Sequence, residues 1–152
     1  GGVLNAGPDR CSAAALNGIP AVVSVGADDM VNFGPWDTVP EHYRSRNLYK
    51  HNPTVTLMRT TVEENEQIGR AIADKVNMSI GPCAVMLPLK GVSMIDAEGQ
   101  PFYGPEEDAA LFQVLRDEID PTKAELIEMD AHVNDDEFAI AAAQKLIDLM
   151  NQ

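Results

Sequence analysis

The sequence predicts an α/β fold, a three-layer sandwich around a mainly parallel, Rossmann-like sheet. Three observations predict it. Short apolar runs at 19–25, 83–87 and 124–129 have the length of strands buried in a sheet. Stretches with apolar residues at helical spacing lie between and after these runs. Alternation of this kind implies parallel strands joined by right-handed crossovers. A length of 152 residues with 45% hydrophobic content suits one domain with a sizeable core.

In chain order, residues 1–10 form a glycine-rich loop holding Gly2 and Gly7, which feeds an Ala-rich helix with Pro8 at its first position and Gly18 as its stop. Such a loop suits a phosphate or carboxylate, or simply a tight turn. It lacks the Lys-Ser/Thr ending of a P-loop and the full dinucleotide fingerprint. The first strand follows and ends at Gly26. From there to Asn52 no period is sustained, so residues 26–52 read as a long loop. Phe33, Trp36, Tyr43 and Tyr49 are too many aromatics for disorder, which predicts that this loop folds over the sheet. Asp28, Asp29 and Asn32 fall just after the strand, where parallel sheets bind ligands; either Asp equally suits a cap.

His51 and Asn52 close the loop, Pro53 keeps Asn52 out of helical angles, and Thr61-Val62-Glu63-Glu64 has the form of a capping box. A helix is predicted over 62–77, with Ile68, Ala71, Ile72 and Val76 inward. Its amino end, with Arg59, Thr60 and His51 just upstream, favours an anion. After the second strand, residues 88–93 offer Lys90, Gly91 and a hydroxyl at the sheet's carboxyl end. The next helix begins at Gly104-Pro105 and turns Leu111, Phe112, Leu115 and Ile119 inward. Asp130 and His132 follow the third strand, and a carboxylate that orients an imidazole makes it a base; a structural histidine fits the same positions. Asn134 is placed to cap the last helix, which buries Phe138, Ile140, Ala141, Leu146 and Leu149.

Four loops, 1–7, 26–52, 88–93 and 130–134, are thereby expected at one edge of the sheet. The candidate catalytic pair is His132 with Asp130. The candidate ligand-binding residues are Gly2, Gly7, Gly26, Asp29, Asn32, His51, Asn52, Arg59, Thr60, Lys90 and Gly91. No spacing supports a metal site. Three strands make a narrow sheet, and the first helix has no strand before it, so upstream strands of a longer chain are expected.

A formal net charge of −13 opposes nucleic acid and anionic membrane surfaces. Arg44, Arg46, Lys50 and Arg59 nonetheless place four of the eleven basic residues in or beside the long loop. Cys11 and Cys83 read as small buried hydrophobes of a reducing compartment, with a disulfide as the alternative. No apolar run is long enough to span a bilayer and no leader pattern is seen, so a cytoplasmic protein is expected.

Five stretches together, GGVLNAGPDR at 1–10, DMVNFG at 29–34, HNP at 51–53 with TLMRTT at 56–61, PLKGVS at 88–93 and DAHVND at 130–135, resemble the carboxyl half of an uncharacterised bacterial and fungal family. That family is related to the ATP-binding region of the tomato mosaic virus resistance protein. The resemblance covers nearly the whole chain. It implies a two-domain, often dimeric α/β protein whose ATP and magnesium site belongs mainly to the amino half. Residues 1–152 are then a single α/β domain, the carboxyl-terminal one, whose partners are the amino-terminal domain, a second copy and a small anionic ligand. A non-catalytic interaction module anchored by the aromatic loop is the alternative.

Overall fold

Residues 2–152 are described by a computed structural model, which leaves Gly1 of the glycine loop outside the described residues. In chain order the elements are α1 (Ser12–Asn17), β1 (Ala21–Ser24), β2 (Met30–Phe33), β3 (Leu48–Asn52), β4 (Val55–Arg59), α2 (Val62–Asn77), β5 (Cys83–Pro88), α3 (Pro105–Glu118), β6 (Glu125–Met129) and α4 (Asp136–Met150). Strands β1, β5 and β6 form a parallel sheet in the order β1-β5-β6. Every residue of β5 is buried, as a central strand covered on both faces requires.

Alternation along the strands sorts the core into two halves. Val85 and Leu87 of β5 face α2 and α3 and pack with Val76, Leu111, Phe112 and Leu115. Met86 faces the other way, with Val22 and Ile127, and meets Phe138, Ala141 and Ala142 of α4. The result is the expected α/β sandwich. Ile140 is a correction: it is 68% exposed, because the inward phase of α4 runs through Phe138, Ala141 and Leu149. Asp135, not Asn134, is the cap residue of that helix.

The second correction concerns residues 26–52. They and the segment after them form a three-stranded antiparallel sheet, ordered β2-β4-β3, rather than a long loop. Its strands are four or five residues long and its β3-β4 pairing is irregular between Lys50 and Asn52, so no window of sequence shows a clean two-residue period. Between β2 and β3 the chain makes two 3₁₀ turns, Trp36–Thr38 and Glu41–Tyr43, each entered through a proline whose fixed φ suits it. Phe33, Val39 and Met58 form a separate small core here, with Tyr43 and Leu48 against it. Of the four aromatics, Phe33 and Tyr43 pack in this core, Tyr49 meets Phe102 edge-on, and Trp36 is exposed.

The capping box at Thr61 is present in both directions: the Thr61 hydroxyl accepts from the Glu64 amide at 3.2 Å, and Glu64 Oε2 accepts from the Thr61 amide at 2.8 Å. Arg46 clamps the same carboxylate through both oxygens and donates to the Arg59 carbonyl, tying the small sheet to α2. Helix α1 is shorter than expected. Pro8 lies in the turns before it, and Cys11, at φ 65°, is its cap and exposed rather than buried.

Candidate functional site

Beyond the carboxyl ends of β1, β5 and β6 three loops are bonded to one another. The Ala27 amide donates to the Val92 carbonyl at 2.8 Å, and the Val133 amide to the Gly91 carbonyl at 3.0 Å. Ser93 Oγ donates to Asp29 Oδ2 at 2.7 Å. Gly91 sits at the crossing with φ 129°; an added Cβ would run into the Asp96 carbonyl and lie 2.8 Å from His132 Cδ2. Only glycine fits there.

Beside this crossing a cleft of about 520 Å³ opens between residues 89–103 and the start of α3, lined among others by Lys90, Gly91, Asp96, Glu98, Tyr103 and Asp108. Two of its acids, Asp96 and Asp108, belong to an ion cluster with Arg59. Arg59, 5% exposed, donates to Asp108 Oδ1 at 2.7 Å and has Asp96 Oδ1 at 3.7 Å. Asp96 is fully buried and accepts from the Val92 and Gly104 amides. Burial, together with a hydrogen bond and repulsion from Asp96, outweighs the pull of Arg59 and pushes the Asp108 carboxyl up to about 7. Burial thus gives one cleft-lining carboxyl a proton affinity above the usual carboxylate range.

The other sequence candidates divide into groups. Lys90 and Gly91 line the cleft, and Asp29, Thr60 and His132, with Gly26 beside Val133 and Asp130 beside Lys90, belong to the loop cluster around it. Asp29 has no exposed surface, and burial raises its carboxyl despite the Ser93 bond; it braces the loops. Thr60 does the same, its amide donating to the Asp29 carbonyl and its hydroxyl to Asn65 Oδ1. Arg59 does not itself line the cleft, and its guanidinium is held by Asp108, the Phe102 and Gly104 carbonyls and Thr60.

Asp130 and His132 do not form a pair. Asp130 bridges to Lys90 at 3.0 Å on the surface, while His132 Nδ1 accepts from the Asn134 amide and Nε2 lies 2.9 Å from the Ser93 carbonyl. With Nδ1 accepting, Nε2 carries the proton and donates it, so both ring nitrogens are engaged. Gly2 and Asn32 meet elsewhere, where the Val3 amide donates to the Asn32 carbonyl beside a second cleft of about 320 Å³. His51 and Asn52 lie at the far end of the small sheet, in a hairpin tip where Asn52 Oδ1 accepts from the Thr54 amide. At about 3.3 Å per residue along β4, that tip is on the order of 15 Å from Arg59. Asp96, Tyr103 and Asp108 escaped the sequence reading, because a turn acid and an acidic helix start look alike whether solvated or buried.

The Gly7 amide donates to Asn5 Oδ1, and the space beside Gly2 is filled by Val31 and Asn32. Among the described residues no group of three His, Cys, Asp or Glu is arranged to hold a metal ion.

The family described as the uncharacterised protein family (UPF0261) C-terminal domain matches residues 1–150. The chain belongs to that family. A UPF0261 protein of Clostridium tetani is 59% identical over 152 residues, covering 100% of this chain and 38% of its own length. One from Rhizobium meliloti is 49% identical, covering 99% of this chain and 38% of its own. The ToMV resistance protein Tm-1(GCR237) of Solanum lycopersicum is 40% identical over 150 residues, covering 98% of this chain and 20% of its own length. This UPF0261 domain thus spans about two fifths of the bacterial relatives it matches and one fifth of the tomato protein. No helix among its described residues is long and apolar enough to cross a membrane.

Proposed function

We propose that this UPF0261 domain is a small-molecule-binding module, with its site in the cleft at the carboxyl edge of the parallel sheet and completed by the rest of the full-length protein. The supporting observation is the cleft itself. Loops after all three parallel strands are bonded into one rigid rim beside it, which is where open α/β sheets take ligands. Lys90 and the half-exposed Tyr103 supply donors, and Asp108 supplies a carboxyl that gives or accepts a proton near pH 7. Such a lining favours a small polar metabolite carrying an anionic group for Lys90 and a hydroxyl or amine for the acids. ATP and magnesium, where the full-length protein uses them, fall to its amino-terminal region.

The test is calorimetric binding of nucleotides and small carboxylates to the full-length protein. Lys90→Ala and Tyr103→Ala should each weaken the ligand found by roughly tenfold, a loss of about 1.4 kcal/mol. Unchanged affinity in both variants would remove the cleft from consideration. A second reading, an interaction or dimerisation module, draws support from Trp36, 47% exposed in the 3₁₀ turn after β2. Gel filtration of full-length Trp36→Ala tests it: an unaltered elution volume counts against that turn as a contact.

A further inference from the structure

Strand β1 lies at the margin of the parallel sheet: β5 is on one side, and among the described residues no strand pairs with the other. Beside that open edge is a groove of about 540 Å³, mostly apolar, lined by Cys11 and Ala14 near and on α1, Val23 of β1, and Ile68, Ala71 and Ile72 of α2. On the opposite face of the sheet α4 packs over β1 and β5 and leaves Ile140 and Ile147, two turns apart, 68% and 51% exposed. Apolar surface thus flanks the β1 edge on the side of α1 and α2. An unpaired, apolar strand edge is a site for further pairing.

The hand of the crossovers says where the pairing strand comes from. From β1 through α2 to β5, and from β5 through α3 to β6, the chain steps across the sheet in one direction with both helices on the same face. Helix α1 packs against α2 on that face and leads into β1. A right-handed crossover through α1 requires its preceding strand to lie beyond β1, away from β5; a strand beyond β6 would make the crossover left-handed. The bacterial relatives devote only 38% of their length to the part this chain matches, so ample chain is available to supply it.

We infer that the amino-terminal region of the full-length protein adds a parallel strand to the free edge of β1, extending the order to added strand-β1-β5-β6, and fills the α1/α2 groove with its side chains. The carboxyl end of that strand then leads through the glycine-rich loop into α1. Asp28 and Arg10 line the same groove, so the added strand covers them as well. This inference does not depend on which ligand the cleft takes, or on its taking one.

The test uses the full-length protein, with the isolated domain as reference. Hydrogen exchange read by mass spectrometry should show the β1 amides protected in the full-length protein. Alkylation of Cys11, exposed here, should be at least about tenfold slower in it, as for a group reached only through local opening. Ala71→Glu, at an exposed position on α2, should restore both reactivities without lowering the helix content of the isolated domain. Equal exchange and equal alkylation in the two proteins would overturn the inference. Protection that vanishes on dilution would overturn it too, by assigning the edge to a second copy.

Discussion

Replacing Arg59 by alanine should strip the domain of a large part of its stability. The side chain is 5% exposed; Nη2 donates to Asp108 at 2.7 Å and to the Gly104 carbonyl at 3.2 Å, Nε to the Phe102 carbonyl at 2.9 Å, and Nη1 to Thr60 at 3.1 Å. Removing one partner of a buried ion pair costs about 3–5 kcal/mol. Each stranded carbonyl adds about 1–3 kcal/mol where water does not reach it. Proton uptake by Asp108 and water entry offset part of this, which leaves an expected loss of about 4 kcal/mol. Domains have roughly 5–15 kcal/mol in total. At about 2 kcal/mol per molar urea, the unfolding midpoint followed by circular dichroism should fall by about 2 M. The deficit should be smaller at pH 5 than at pH 8, because the abandoned Asp108 is neutral at the lower pH. Adding Asp108→Asn to Arg59→Ala should therefore cost less than the sum of the two, by about 1 kcal/mol. An Arg59→Ala variant within about 0.5 kcal/mol of the parent, yet deficient in ligand binding, would refute the bracing role and return Arg59 to the anion-binding role that its sequence position suggests.

Three further outcomes are expected. Burial raises the Asp108 carboxyl from 3.8 to about 7 and that of Asp28 from 3.8 to about 6, so the folded state binds more protons than the unfolded chain in this range. Stability is then fullest below 3.8 for these two groups and is lost as pH climbs through 6 and 7; Asp108→Asn should flatten the upper part of that decline in thermal melts. Gly91→Ala should cost about 3 kcal/mol or more, since its φ of 129° and the nearby Asp96 carbonyl leave no room for a methyl group, and the soluble yield of the variant reads it directly. Thr61→Ala, which removes half of the capping box, should cost about 1 kcal/mol and lower Tm by about 2–4 °C.

The parts of the fold readable in the sequence are those governed by neighbours along the chain. Thr61 and Glu64 are three residues apart, so their mutual capping is written locally, and the apolar runs ending at Val25 and Leu87 show their burial in composition alone. The antiparallel sheet was not readable, because β2 and β4 are separated by more than twenty residues and each is too short to show a period. The site divides the same way. Lys90 and Gly91 could be placed near the cleft because they follow a recognisable strand. Asp96 and Asp108 could not, since what distinguishes them is a guanidinium 49 residues away in sequence from Asp108.

Sequence alone therefore determined the alternating helices and strands, the direction in which the parallel strands point, the capped start of α2 and membership of the family. Tertiary structure decided the roles of the charged residues: it buried Arg59 among carboxylates, left Asp130 to Lys90 and His132 to backbone groups, and sent His51 and Asn52 to a distant hairpin tip. The reason is physical. Secondary structure follows from periodicity and local hydrogen bonding, whereas a charged side chain takes its role from the solvent it loses and the partners it meets, and both are set by segments remote in the chain.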